Sequence, residues 1–291
     1  MTVRAILMPV VGDGQGSAEL SVGLTLAQAV SAHLEAVFIR PDPEATFFYS
    51  GFGATHQDAV ERQMRERIDT TGRAEAERHR RRFGSLCRKA SVPKSRRPEA
   101  QPAASAEWRT LKGEPLDILP TAARRGDLTL FTSSSAHYTP LFENLLEVTL
   151  LRSGRPVLYV PEGAKIAQFQ RPLVAWDGLS GAARAVSALT GLTEEQASAI
   201  VLHVAEEISG ETPDIADVIT YFGWHGISAE AITKQRGLRS IGAALLDVAS
   251  VVGADVLVMG GYGHARYREA LLGGVTRFAL RHSRLPVLMA H

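Results

Sequence analysis

Val252-Gly253-Ala254-Asp255-Val256-Leu257-Val258-Met259-Gly260-Gly261-Tyr262-Gly263 reads as a helix end, a turn, a buried strand and a glycine-rich exit. Gly253 suits the left-handed position that closes a helix. The unbroken apolar run after Asp255 is that of a strand covered on both faces. Ahead of it, Leu238, Ile241, Leu245, Val248, Ala249 and Val252 recur at helical spacing. The same phrase stands earlier as Arg125-Gly126-Asp127-Leu128-Thr129-Leu130-Phe131, its aspartate 128 residues before Asp255. A unit written twice at that distance is a repeated domain.

The repeat extends in both directions. Each half opens on an apolar strand after an arginine, Arg4 to Val10 and Arg171 to Asp177. A helix-period stretch of small residues follows, Ala18 to Leu34 and Gly181 to Leu189, then a second strand, Glu35 to Arg40 and Ala199 to Val204. Each half closes on a helix and a strand, Arg155 to Val160 and Leu285 to Met289. Strands alternating with helices give α/β domains, with a parallel sheet and helices on both faces. The expected layout is a first domain over 1–160, a linker over 161–170 and a second domain over 171–291. A length of 291 residues suits two such domains.

The halves diverge between strands two and three, where the first spends residues 42–105 and the second only 205–228. The surplus reads as a long charged helix, roughly Gln57 to Lys89, then a Pro/Ser/Arg/Ala-rich loop from Ser91 to Ser105. Its run of Arg78, Arg80, Arg81, Arg82, Arg88 and Lys89 lacks interleaved aromatic residues, so it reads as a solvated face, not a nucleic-acid surface. Glu75 and His79 stand four apart on it, as a helical ion pair would.

Composition narrows the classes further. With 45% hydrophobic and 22% charged residues and a formal charge of +1, the chain is globular and carries no global field toward nucleic acid or an anionic membrane. The single cysteine, Cys87, builds neither an intramolecular disulfide nor a cysteine zinc site, which fits a reducing compartment, and a cytoplasmic location is expected. The opening residues read as a strand instead of a signal peptide. No apolar stretch approaches the ~20 residues that span a bilayer.

In an open parallel sheet, ligands bind where the strand order reverses, at the carboxyl ends. In the second half, Asp177 and Gly178 close the first strand and Gly260-Gly261-Tyr262-Gly263 close the fourth, so both face one crevice. Glycines there admit an anion to the backbone, and the amides opening the next helix supply donors. The same glycines also serve a tight turn and close packing.

The spacing Gly260-x2-Gly263-x9-Gly273 resembles the signature of the universal stress protein family, and the strands on either side are similar to that family's last two. Because the frame repeats, the chain is identified as a tandem member. The resemblance implies two Rossmann-like, doubly wound domains, each a five-stranded parallel sheet in the order 3-2-1-4-5, packed through their fifth strands as a pseudo-dimer. A further homodimer is compatible with it. It also implies ATP or ADP, with or without Mg²⁺, in the second domain: Asp177 on the nucleoside, Val204 on adenine, and Gly260, Gly263 and Gly273 around ribose and phosphates. The hydroxyl residue that should follow the third glycine is Gly274, and the nearest hydroxyl is Thr276. One lost hydrogen bond to a phosphate costs about 1.5 to 3 kcal/mol, roughly one to two decades of affinity.

The first half departs further, with Thr132-Ser133-Ser134-Ser135-Ala136-His137 after its fourth strand and no glycine there. It is expected to be a structural or partner-binding copy. Gly12-Asp13-Gly14-Gln15-Gly16-Ser17 lacks the third glycine of a dinucleotide fingerprint and reads as a loop. No GxSxG, HExxH or P-loop motif occurs, and the nine histidines show no metal-ligand spacing. No catalytic residue is expected beyond slow hydrolysis of bound ATP. The alternatives are an adaptor that binds a protein partner, or a crevice for another small ligand.

Overall fold

The computed structural model describes residues 2–10, 17–44, 58–97, 103–133, 138–205, 214–235, 240–261 and 274–291. In the first half the order is β1 (Ala5–Val10), α1 (Ser17–Ala29), β2 (His33–Arg40), α2 (Asp58–Lys89), β3 (Ser105–Lys112), α3 (Pro115–Ala123), β4 (Leu128–Ser133), α4 (Pro140–Ser153) and β5 (Val157–Pro161). The second half repeats it as β6 (Pro172–Ala175), α5 (Ser180–Leu189), β7 (Ser198–Ala205), α6 (Ile215–Trp224), β8 (Ser228–Gln235), α7 (Ile241–Val252), β9 (Val256–Gly260), α8 (Gly274–His282) and β10 (Val287–Ala290).

The strands form one ten-stranded sheet, β3-β2-β1-β4-β5-β10-β9-β6-β7-β8. Each half is therefore a parallel 3-2-1-4-5 sheet, and the halves join where β5 meets β10 antiparallel, with Leu158 opposite Leu288. Alternation along the strands divides the apolar residues between two layers that run through both halves. Ile6, Met8, Leu158, Val258 and Leu288 face the layer under α1, α2, α5 and α6. Leu7, Val157, Tyr159, Leu257 and Met289 face the layer under α3, α4, α7 and α8. Burial of both faces explains why the strands read as unbroken apolar runs.

The aspartate of the repeated phrase has a structural task. Asp127 Oδ2 accepts from the amides of Arg4 and Ala5 at 2.8 and 3.0 Å. Asp255 Oδ2 accepts from those of Gln170 and Arg171 at 2.6 and 2.9 Å. Each carboxylate thus fixes the start of its half's first strand to its fourth. The interdomain connection is packed as well: Phe169 is buried and exchanges backbone bonds with Leu192 and Glu194.

Some expectations change. The first helix ends at Ala29, not Leu34, because Ser31 takes the left-handed conformation (φ 52°) and Ala32 N closes back on Ala27 O. No glycine announces that end. Of the two repeated glycines, Gly253 is left-handed (φ 66°) and caps α7. Gly126 is not; a Cβ on it would meet the carbonyl oxygens of Ala5 and Leu128 at 3.3 and 3.4 Å, so close backbone approach makes a side chain there a tight fit. The long helix carries a buried seam of Ala76, His79, Phe83 and Cys87. His79 is packed against Phe38 (ring centroids 5.4 Å apart) and so lies in the core, not on the solvated face with Glu75. Within the expected loop after α2, Pro93 to Ser95 run alongside Ala106.

Candidate functional site

The strand order of the second half reverses between β6 and β9, which pair directly, Ala175 opposite Met259. Just beyond β6, Trp176 N donates to Leu202 O, and its indole Nε1 donates to Asp214 O at 3.2 Å, tying the strand exit to the start of α6. His203 Nδ1 donates to Trp176 O at 3.2 Å, a satisfied histidine at the edge of the site.

Asp177 follows, exposed at the crevice mouth. Its Oδ1 accepts from Leu179 N at 2.9 Å across Gly178, whose φ of 76° makes the turn into α5. Asp214 caps α6 in the same manner, accepting from Ala216 N at 2.9 Å. The remaining Asp177 oxygen makes no bond among the described residues and can accept from a hydroxyl or an amine. Val204 is half-buried near the end of β7, one strand over from Asp177.

Gly260 ends β9 on the side covered by α5, and its missing side chain is accounted for by packing. A Cβ there would lie 2.9 Å from Ala182 N and 3.3 Å from Gly181 C. A Cβ on Gly181 would in turn lie 3.0 Å from Ala290 O. The first turn of α5, whose leading amides have no intrahelical acceptor, is thereby held against the ends of β9 and β10. Gly274 opens α8, and among the described residues nothing lies within 4 Å of where its Cβ would be, which leaves room there for a hydroxyl residue. Thr276 is buried (2% exposed) and does not present its hydroxyl to solvent. Gly263 and Gly273 lie outside the described residues. Asp177, Val204 and Gly260 thus gather at the carboxyl ends of β6, β7 and β9, with Gly274 opening the helix that follows β9. Among the described residues no group of three or more His, Cys, Asp or Glu side chains is placed to hold a metal, and no helix is long and apolar enough to cross a membrane.

Sequence reasoning passed over Trp176 and Asp214. The signal for Asp214 was available, since Asp before an apolar helical stretch is an N-cap. That the cap and the indole would meet was a tertiary fact.

This arrangement defines a class: a tandem, doubly wound α/β protein with a candidate site at the switch point of its second half. Residues 168–291 match the universal stress protein family. Among solved structures, a universal stress protein from Archaeoglobus fulgidus DSM 4304 superposes with a TM-score of 0.70 at 17% identity, covering 99% of this chain and 96% of that one. A functionally unknown protein from Pseudomonas aeruginosa PAO1 gives 0.52 at 13% identity, covering 98% and 92%. No curated protein matches the sequence. Residues 168–291 are thus similar to the universal stress protein family, and the whole chain has the fold of the Archaeoglobus fulgidus protein.

Proposed function

We propose that the second domain is an adenine-nucleotide receptor, taking ATP or ADP with Mg²⁺ on the phosphates, and that the chain acts as a stress-linked sensor or regulator. The observation that carries this reading is Asp177, exposed at the switch point with one carboxylate oxygen available beside the opening turn of α5. The carboxylate suits a ribose hydroxyl, and the leading amides of α5 and α8 suit an anion. Mg²⁺, when bound, would neutralise phosphate charge. Calorimetric titration of the chain with ATP and ADP, with and without Mg²⁺, tests it. One site per chain is expected, lost in Asp177→Ala, and Gly274→Ser should tighten it by roughly one to two decades through a restored hydroxyl. No heat up to millimolar nucleotide in either the native chain or Gly274→Ser overturns the reading.

A second reading, a partner-binding chain with a disused crevice, draws on Gly260. Its place in the signature is explained by contact with α5 alone, without a ligand.

A further inference from the structure

The charged run on α2 does more than face solvent. Arg80, Arg81 and Arg88 line one wall of a groove of about 840 Å³, Lys94 and Arg96 another, and Trp108 of β3 its base. Two carboxylates share this space. Glu77 is engaged by Arg80 and Arg81 at 3.4 and 3.0 Å, and Glu107 by Arg96 at 3.0 Å. Five cations against two carboxylates leave an excess of three positive charges. Among the described residues no carboxylate pairs with Arg88 or Lys94. Their head groups nevertheless converge over Gly84, with Lys94 Nζ 3.9 Å and an Arg88 guanidinium nitrogen 4.0 Å from where a Cβ on that glycine would sit. The helix dipole favours a cation in the last turn, which accounts for Arg88. It does not account for Lys94 beyond the helix or for Arg80 and Arg81 inside it.

The base of the groove is a sheet edge. β3 is the outermost strand, and Ala106 turns its N–H to Pro93 O (2.9 Å) and its carbonyl to Ser95 N (3.1 Å), away from β2. The period of two along a strand puts the amides and carbonyls of Trp108 and Thr110 on that same outer edge. Among the described residues, no backbone bond joins the flanking segment to Trp108 or Thr110. Ser95 Oγ accepts from Arg97 N at 3.2 Å and donates to Arg97 O at 2.9 Å, a local turn just past the contact with Ala106.

We propose that this edge and its cations form a docking groove for an acidic protein segment in extended conformation, which adds as a strand beside β3 at Trp108 and Thr110. Alternate side chains of such a segment stand roughly 6.6 Å apart on one face. Two or three carboxylates therefore meet a row of cations that spans about 12 Å of helix axis from Arg80 to Arg88. Backbone pairing holds the segment, and the cations select its charge. A single-stranded nucleic acid is disfavoured, because it needs free aromatic faces. Phe83 is buried, and Trp108 is packed against Phe38 and Phe83 with its Nε1 donating to Thr110 Oγ1.

The test is fluorescence anisotropy of the full chain with a short dye-labelled peptide of alternating Glu and Val. It should bind, more weakly as salt rises. Arg88→Glu with Lys94→Glu should weaken it about tenfold or more, and the neutral pair Arg88→Ala with Lys94→Ala should weaken it in the same direction, with circular dichroism unchanged. The Gln-for-Glu peptide and one N-methylated at alternate amides should both fail. Absence of binding at low salt overturns the proposal, as does affinity equal to the native chain's in both paired variants. Binding of the N-methylated peptide as tight as the parent overturns strand addition. Tighter binding of an oligothymidine assigns the groove to nucleic acid and overturns the peptide.

Discussion

At the scale of single residues, a glycine in a ligand signature has two explanations, and the neighbours of its absent Cβ separate them. At Gly260 those neighbours are backbone atoms of α5, which cannot rotate aside as a side chain can. At Gly274 there are none within 4 Å among the described residues. Gly260→Ala is therefore expected to lower stability by about 1 to 3 kcal/mol, the usual cost of overpacking, because α5 must lift from β9. Gly274→Ala should stay within about 0.5 kcal/mol. Urea unfolding of the two variants checks this, and equal midpoints would mean that α5 shifts without strain. The signature's glycines thus carry different burdens that one-letter spacing cannot distinguish.

At the scale of elements, the repeated phrase was legible because one physical task sits behind each part of it. The apolar runs are strands buried on both faces, and the aspartates at 127 and 255 clamp the first strand of each half. Asp255→Ala removes two bonds to a charged acceptor and is expected to cost about 2 to 3 kcal/mol, with Asp127→Ala similar. Asp255→Asn, which keeps an acceptor oxygen, should cost less in thermal unfolding. A loss confined to one half of the repeat would mean that the clamp is not a shared device. Less legible was the end of α1, where Ser31 takes a conformation that glycine usually marks, held by Ala32 N on Ala27 O. The burial of His79 within a charged helix was equally hidden, since the Phe38 that covers it is far away in sequence. At the candidate site, Asp177 and Gly260 were readable from their places at strand ends. What surrounds each of them depends on α5 and α6 and was not.

At the scale of the molecule, the two halves meet about the Leu158–Leu288 pair, and their fourth and eighth helices meet beside it with opposite charge. Glu143 of α4, only 5% exposed, accepts from Arg277 Nε at 2.9 Å and from an Arg281 guanidinium nitrogen at 2.7 Å. Aligning Pro156 with Pro286 sets Glu147 at the position of Arg277. The pseudo-twofold thus pairs an acidic first half with a basic second half, and two copies of the same half would oppose like charges. Glu143→Ala leaves two arginines without their carboxylate. It should cost about 2 to 3 kcal/mol, below the figure for a fully buried pair because both arginines reach solvent. Glu147 behaves differently. Burial raises its carboxyl above the ordinary range, Arg277 opposes that shift, and Glu143 adds to it. A carboxyl that holds its proton more tightly folded than unfolded costs stability once pH has risen through the raised value, and costs nothing below the ordinary carboxylate range, where both states are protonated. Glu147→Gln is therefore expected to stabilise the chain at neutral pH, with the gain shrinking as pH falls between those limits. Urea midpoints measured for both proteins across that interval test it, and a gain that grew on acidification would place the charged form of Glu147 among the contacts that favour the fold.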